Sequence, residues 1–439
     1  MRLAMLLFAA VLAIAALGYL TDRGETRAAV AIADLERAWG PTDYGAVLES
    51  ADRRVDAKRE RLAGAADQWL HQEVLASALF ERFRLAGDGA DLDEARSLLD
   101  TAMKSAPAPS GPTLTRAAVA LADHDLAATA KALDRFERTA PRRSAVDRSE
   151  AIAIRGDIAF QQGDVRKAGD LYAEADALSP APGTRLRIAN ASLWTGDAAG
   201  ARDMAEAMLE ANPMGPLGFA RMALLMANFS YAQGDIERAG EWIAAAQDRF
   251  DGFWLADAYA AQNRAAEGDF GSAIAQLTAI AEATGEPEVM DTLSGILLHR
   301  GETEAAARWT SRSERAWREK LDASRSAYRL HAAEHYLDFG DPGVAVALAR
   351  EEVAARPFGE AIEVLASALT ETGEPAAALK WLERADAAGW RAVSLDLARW
   401  EALNALGRKD EAAEFLARAK RTNPLAGTEE RKLVRFGHF

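Results

Sequence analysis

His331, Glu334 and His335 stand in the order H-x-x-E-H, a spacing that on a helix turns both imidazoles to one face. Two such histidines can ligate zinc while the glutamate acts as general base, the chemistry of a metal-dependent hydrolase. A third ligand would have to converge from a separate element, and no specialised domain surrounds the triplet. Packed or surface histidines are therefore the preferred reading, and zinc hydrolysis is the alternative. Asp88, Asp91, Asp93 and Glu94 resemble a calcium loop only loosely, because the alternating oxygens do not lead to a glutamate at the twelfth position. Helix capping and a solvated turn account for them. The glycine-rich phosphate loops and the G-x-S-x-G nucleophile turn do not occur. The chain has no cysteine, which removes disulfides, thiolate metal sites and cysteine nucleophiles. No cofactor is expected.

Any functional side chain here must be carried by elements that repeat. Gly156, Gly163, Asp164, Ala168, Tyr172, Ala175 and Pro180 form a template. Its turn glycine returns at Gly196, Gly234, Gly268, Gly301, Gly340, Gly373 and Gly407, at intervals of 33, 38, 34, 33, 39, 33 and 34 residues. Five residues after each comes alanine: Ala168, Ala201, Ala239, Ala273, Ala306, Ala345, Ala378 and Ala412. Pro180, Pro213, Pro357 and Pro424 each follow a turn glycine by 17 residues. Two weaker units precede these. One runs from Gly87-Asp88-Gly89 through Ala95, Leu99 and Ala102 to Pro107; the other has His124-Asp125 in place of Gly-Asp and ends at Pro141.

The pattern closely resembles that of the tetratricopeptide-repeat family, over about four-fifths of the chain. The resemblance implies an all-α fold, a superhelical solenoid of about ten helical hairpins preceded by one N-terminal transmembrane or signal helix. Each recurring residue has a physical reason. Alanine lets two helix backbones approach closely. Glycine supplies a left-handed residue that ends the first helix, the following aspartate caps the second, and proline stops it. One hairpin cannot bury its own apolar face, so neighbours complete the core. The two long intervals place a loop near 214–217, with Gly215 and Pro216, and lengthened helices in the charged stretch 312–325.

In that family the inner face of the first helix of each hairpin lines a concave groove. Transferring the register gives Asp157, Asn190, Asn228 and Gln262 at one position, with Phe160, Leu193, Trp194, Arg221, Leu224 and Tyr231 nearby. The three successive amides could bond a peptide backbone and the aromatics could supply pockets. Asn190 and Asn228 are expected to face solvent. Family members that clamp a terminal carboxylate use lysines; here only Arg221 is basic at these positions, so such a clamp is not expected.

A net charge of −15 over 439 residues excludes extended contact with nucleic acid and opposes adsorption to anionic lipid. It points instead to a neutral or basic segment of a protein partner, with no small-molecule substrate. Residues 3–20 form an apolar run just long enough to span a bilayer, and also compatible with a signal peptide. The expected organisation is an anchor or signal over 1–22, and a helical spacer and cap over 23–66 with helices at 26–38 and 44–64. The solenoid follows over 67–425 and a tail over 426–439. The tail carries Phe436 and Phe439 but lacks the upstream strands of a barrel, and reads as loose or as a capping strand. The combined expectation is a non-enzymatic scaffold at a bacterial inner membrane with a periplasmic body, or a soluble periplasmic adaptor after signal cleavage. Envelope assembly, secretion and polysaccharide export are the settings that the resemblance implies.

Overall fold

The computed structural model describes residues 30–107, 110–138 and 143–437. The apolar run, Pro141 and Phe439 lie outside the described residues. The chain divides into a short unit, Met1–Leu35, in which a 3-10 turn Ile32–Asp34 is described, and a body, Glu36–Phe439. Among the described residues no helix is long and apolar enough to cross a membrane.

The body is a capping helix, Tyr44–Ala63, followed by ten helical hairpins. Hairpins 1 to 5 are Trp69–Ala86 with Gly89–Ser105, Thr113–Ala122 with Leu126–Arg138, Ala145–Gln161 with Val165–Leu178, Pro182–Trp194 with Ala198–Ala211, and Pro216–Ala232 with Ile236–Arg249. Hairpins 6 to 10 are Trp254–Ala266 with Phe270–Thr284, Pro287–His299 with Thr303–Ala323, Arg325–Phe339 with Pro342–Ala355, Gly359–Glu371 with Pro375–Ala388, and Val393–Ala405 with Lys409–Thr422. This is the tetratricopeptide-type solenoid that the offsets imply.

The recurring residues do what their types suggest. All eight alanines are at most 1% exposed. Asp164, Asp197, Asp235, Asp269 and Asp341 each accept an amide hydrogen bond at the start of a second helix, contributing about 1 kcal/mol apiece. Gly156 admits the Tyr172 ring, since a Cβ there would lie 2.4 Å from Tyr172 Cε1. Seven of the eight turn glycines are left-handed. Gly340 is the exception, at φ −118°. Its first helix runs to Phe339, so no extra turn residue intervenes; glycine is kept there because a Cβ would meet the Tyr336 ring at 2.6 Å.

Three local expectations need correction. Pro216 and Leu217 are not loop but the first residues of Pro216–Ala232, with proline at its favoured first position. Residues 35–38 are not helical. Arg37 bridges to Met214 instead, and the residues that follow pair with another loop: Asp43 bridges to Asp251, with Asp251 N–H donating to Thr42 O and Tyr44 N–H to Asp251 O. The tail is neither loose nor a strand. It forms a 3-10 turn, Glu430–Leu433, and then enters the superhelix with Leu433, Val434 and Phe436 buried. The charged stretch does lengthen a helix, Thr303–Ala323, as expected.

The solenoid winds tightly enough to touch itself. The turns of hairpins 2 to 4 meet the segment entering the hairpin six places later, and that of hairpin 5 meets the segment leaving hairpin 10. In hairpin 2, Asp123 Oδ1 accepts from Ser324 Oγ at 3.1 Å. In hairpin 3, a Cβ on Gly163 would come within 2.6 Å of Pro357 O. In hairpin 4, Trp194 O accepts from Arg391 N–H at 2.7 Å. In hairpin 5, Tyr231 O accepts from Asn423 Nδ2 at 3.0 Å. The apolar core follows this closure: Val165 and Trp194 pack into the cluster built by residues 317–412.

Candidate partner-binding face

Because the superhelix closes after about six hairpins, its concave face is an interior, and the register residues are distributed within it. Asp157, Phe160 and Asn190 line a cavity of about 490 Å³ together with His124, Arg187, His331, Arg356 and Phe358. Asp157 is held by Arg187 Nε at 2.9 Å and by the Tyr172 hydroxyl at 2.9 Å, while Arg187 also reaches Glu150 at 3.0 Å. Burial raises the Asp157 pKa, against the pull of Arg187 and Tyr172. Burial also pushes the Tyr172 hydroxyl up. Leu193 and Trp194 line a second cavity of about 280 Å³ beside Arg391 and Asp396. Trp194 and Phe160 both pack edge-on to Trp390, with ring centroids 5.7 and 4.8 Å away.

The remaining four register residues toward the end of the groove, and Arg221, are engaged by the chain itself. Leu224, Tyr231 and Gln262 are buried rather than solvated. Arg221 donates to Arg84 O at 2.6 Å, and burial beside Arg84 lowers its pKa. Tyr231 donates to Asn263 Oδ1 at 3.0 Å. Asn228 does not face open solvent as expected: its Oδ1 is enclosed and without a hydrogen-bond partner. Gln262 is wholly buried and holds main chain: Arg435 N–H and Phe436 N–H each donate to its Oε1 at 2.7 Å, and its Nε2 donates to Phe436 O at 3.0 Å.

The H-x-x-E-H residues do not form one constellation. His335 is fully buried, its Nδ1 2.7 Å from Asp291 Oδ1, while Trp317 Nε1 donates to the other oxygen of Asp291 at 2.8 Å. His331 lies on the cavity wall, stacked over Trp317 at 6.2 Å and beside Glu334 at 3.3 Å. Its side chain is 45% exposed and lines the cavity. The enclosure works against its charge; Glu334, Glu288 and Glu360 outweigh it and push the pKa up to about 10. Among the described residues no group of three or more His, Asp or Glu is placed to hold a metal. The acidic turn at Asp88 is likewise spoken for. Asp88 caps Gly89–Ser105, Asp93 pairs with Arg96 at 2.5 Å and Glu94 with Arg59 at 2.7 Å. Asp91 is buried against Arg82 rather than solvated.

Sequence reasoning did not reach His124 as a cavity residue, although the signal was there. It is the one non-glycine residue at positive φ among the described residues, at 58°, where other hairpins carry glycine. Its Nδ1 is enclosed and unbonded, and burial, with Arg356, His331 and Arg329 nearby, lowers its pKa to about 3. A residue held there against its backbone preference points to a constraint imposed by its surroundings.

No protein-family model and no curated protein matches this sequence. Among solved structures the chain is similar to a tetratricopeptide repeat protein from Parabacteroides merdae, at 14% identity and a TM-score of 0.35, over 58% of this chain and 98% of that one. It is similar also to yeast Tom70, at 12% identity and a TM-score of 0.42, over 87% of this chain and 90% of that one. The assignment to a tetratricopeptide-type solenoid rests on the ten hairpins and their offsets.

Proposed function

We propose that this protein is a non-enzymatic scaffold that binds a protein segment on the concave face of its solenoid. The observation that carries the reading is Gln262, a buried concave side chain whose carbonyl and amide both bond to non-helical main chain. A side chain that reads backbone in this way suits capture of a peptide, whatever its sequence. The cavity lined by Asp157, Phe160, Asn190 and Phe358 offers polar and aromatic contacts for a segment. The acidic balance of the chain favours a neutral or basic partner. The apolar run 3–20 serves in this reading as a membrane tether, with the body in the periplasm and an envelope, secretion or export assembly as the setting.

Photo-crosslinking in native membranes tests the binding face. A photoreactive phenylalanine analogue at Asn190 is expected to give a discrete adduct with a partner, and the same analogue at Ala244, exposed on a second helix, is expected to give none. Adducts from Ala244 alone would move binding to the convex face and end the groove reading.

A further inference from the structure

The segment that follows the last hairpin is seated in the concave face as a ligand would be. Gln262 clamps its backbone through three hydrogen bonds. Three neighbouring residues read its side chains. Asp338 forms an ion pair with Arg435, whose guanidinium also lies 5.0 Å from the centre of the Phe339 ring. Phe436 is buried and stacks on Tyr259, ring centroids 5.3 Å apart and planes at 30°. Gly437 is left-handed at φ 69° and packs on Asn228 so closely that a Cβ would fall 1.8 Å from Asn228 Oδ1. Glycine is therefore favoured on two grounds: the left-handed backbone strains any other residue, and a Cβ would have to displace the Asn228 side chain. A backbone clamp beside an acidic, an aromatic and a glycine-favouring position is a site with a sequence preference.

We propose that Gln262, Asp338, Tyr259 and Asn228 form a recognition site for a peptide carrying a basic, an aromatic and a glycine residue in succession, and that residues 435–437 occupy it as a resident competitor. The proposal rests on the concave-face reading above and adds to it the chemistry of the partner. The occupant itself argues for that chemistry: it carries Arg435, and the residues leading into it include Arg431 and Lys432, in a chain whose net charge is −15. A tethered segment competes at an effective concentration on the order of millimolar, so a free peptide has to match the site well or arrive when the segment is loosened.

The test uses the full chain and a fluorescent peptide with the sequence of residues 432–437, followed by anisotropy. The Phe436→Ala chain, whose own segment has lost its anchor, is expected to bind at least tenfold more tightly than the unaltered chain. Adding Gln262→Leu should remove that gain. Asp338→Arg in the Phe436→Ala chain should reject the peptide yet accept one with glutamate in place of arginine. A second measurement holds even where Phe436→Ala disturbs folding: excess peptide added to the unaltered chain should speed hydrogen exchange of amides 433–437. The proposal is overturned by a folded Phe436→Ala chain that ignores the peptide, by binding indifferent to Gln262→Leu, by dimers with exchanged tails in place of peptide uptake, or by unchanged exchange at 433–437. None of these outcomes bears on crosslinking from Asn190, so this site and the wider groove fail separately.

Discussion

His124 and His331 face the same cavity with opposite protonation demands, and each yields a pH dependence of opposite sign. The folded pKa of His124 lies near 3 against an ordinary 6.5, so between these values the unfolded chain binds the extra proton. Its contribution therefore erodes as pH falls from 6.5 towards 3. His331 is raised to about 10, so its contribution is full below 6.5 and is lost as pH rises towards 10. Urea unfolding across pH should show His124→Ala flattening the acid limb and His331→Gln flattening the alkaline one. At pH 7, His124→Gly should exceed His124→Ala in stability by about 1 kcal/mol, because both lose the ring and only alanine keeps the left-handed penalty. The sequence marked His124 as a departure from the glycine pattern, but its place in the cavity depends on Gln161 in the next hairpin and on Arg356, more than two hundred positions away. The H-x-x-E-H triplet reads from the sequence as packed or surface histidines, but local spacing carries no sign of the Asp291 and Trp317 contacts that hold His335.

Within a hairpin the determinants of structure are local, and for that reason legible in the sequence. Ala168 is fully buried where two helices meet. Ala168→Leu is expected to cost about 1–3 kcal/mol in chemical denaturation through overpacking. Between hairpins the turn glycines separate into two kinds that the sequence cannot tell apart. Gly407 and Gly163 are both left-handed, at φ 74° and 87°. Gly407 has open space around it, whereas a Cβ on Gly163 would strike Pro357 O. Gly407→Ala should therefore cost about 1 kcal/mol, the left-handed penalty alone. Gly163→Ala should cost clearly more, since backbone has to move as well. Equal losses in paired unfolding curves would mean that Gly163 and Pro357 are not in contact.

Over the length of the chain, the hairpin count, the caps and the packing alanines follow from offsets that recur in the sequence. The closure does not, because contacts between hairpins six apart impose no period of their own. The same gap hid the seating of residues 433–437 in the groove and left Asn228 expected in solvent. Closure changes how the protein should unfold. A chain of hairpins touching only its neighbours loses stability unit by unit. Ties such as Trp390 Nε1 to Gly163 O at 2.9 Å and Arg391 N–H to Trp194 O at 2.7 Å couple hairpins 3 and 4 to the ninth and tenth. Ala168→Leu should accordingly shift one common transition, read by hydrogen exchange at both ends, rather than melt only adjoining hairpins. The most direct measurement of closure is disulfide trapping, since the chain has no cysteine to interfere. A Cβ built on Gly196 lies 3.2 Å from Arg391 Cβ, close to the separation a disulfide needs. The Gly196→Cys, Arg391→Cys chain should form an intramolecular bond on mild oxidation, giving a faster-migrating monomer that reverts on reduction, while each single variant keeps a free thiol. A folded double variant with both thiols free would contradict the closed superhelix.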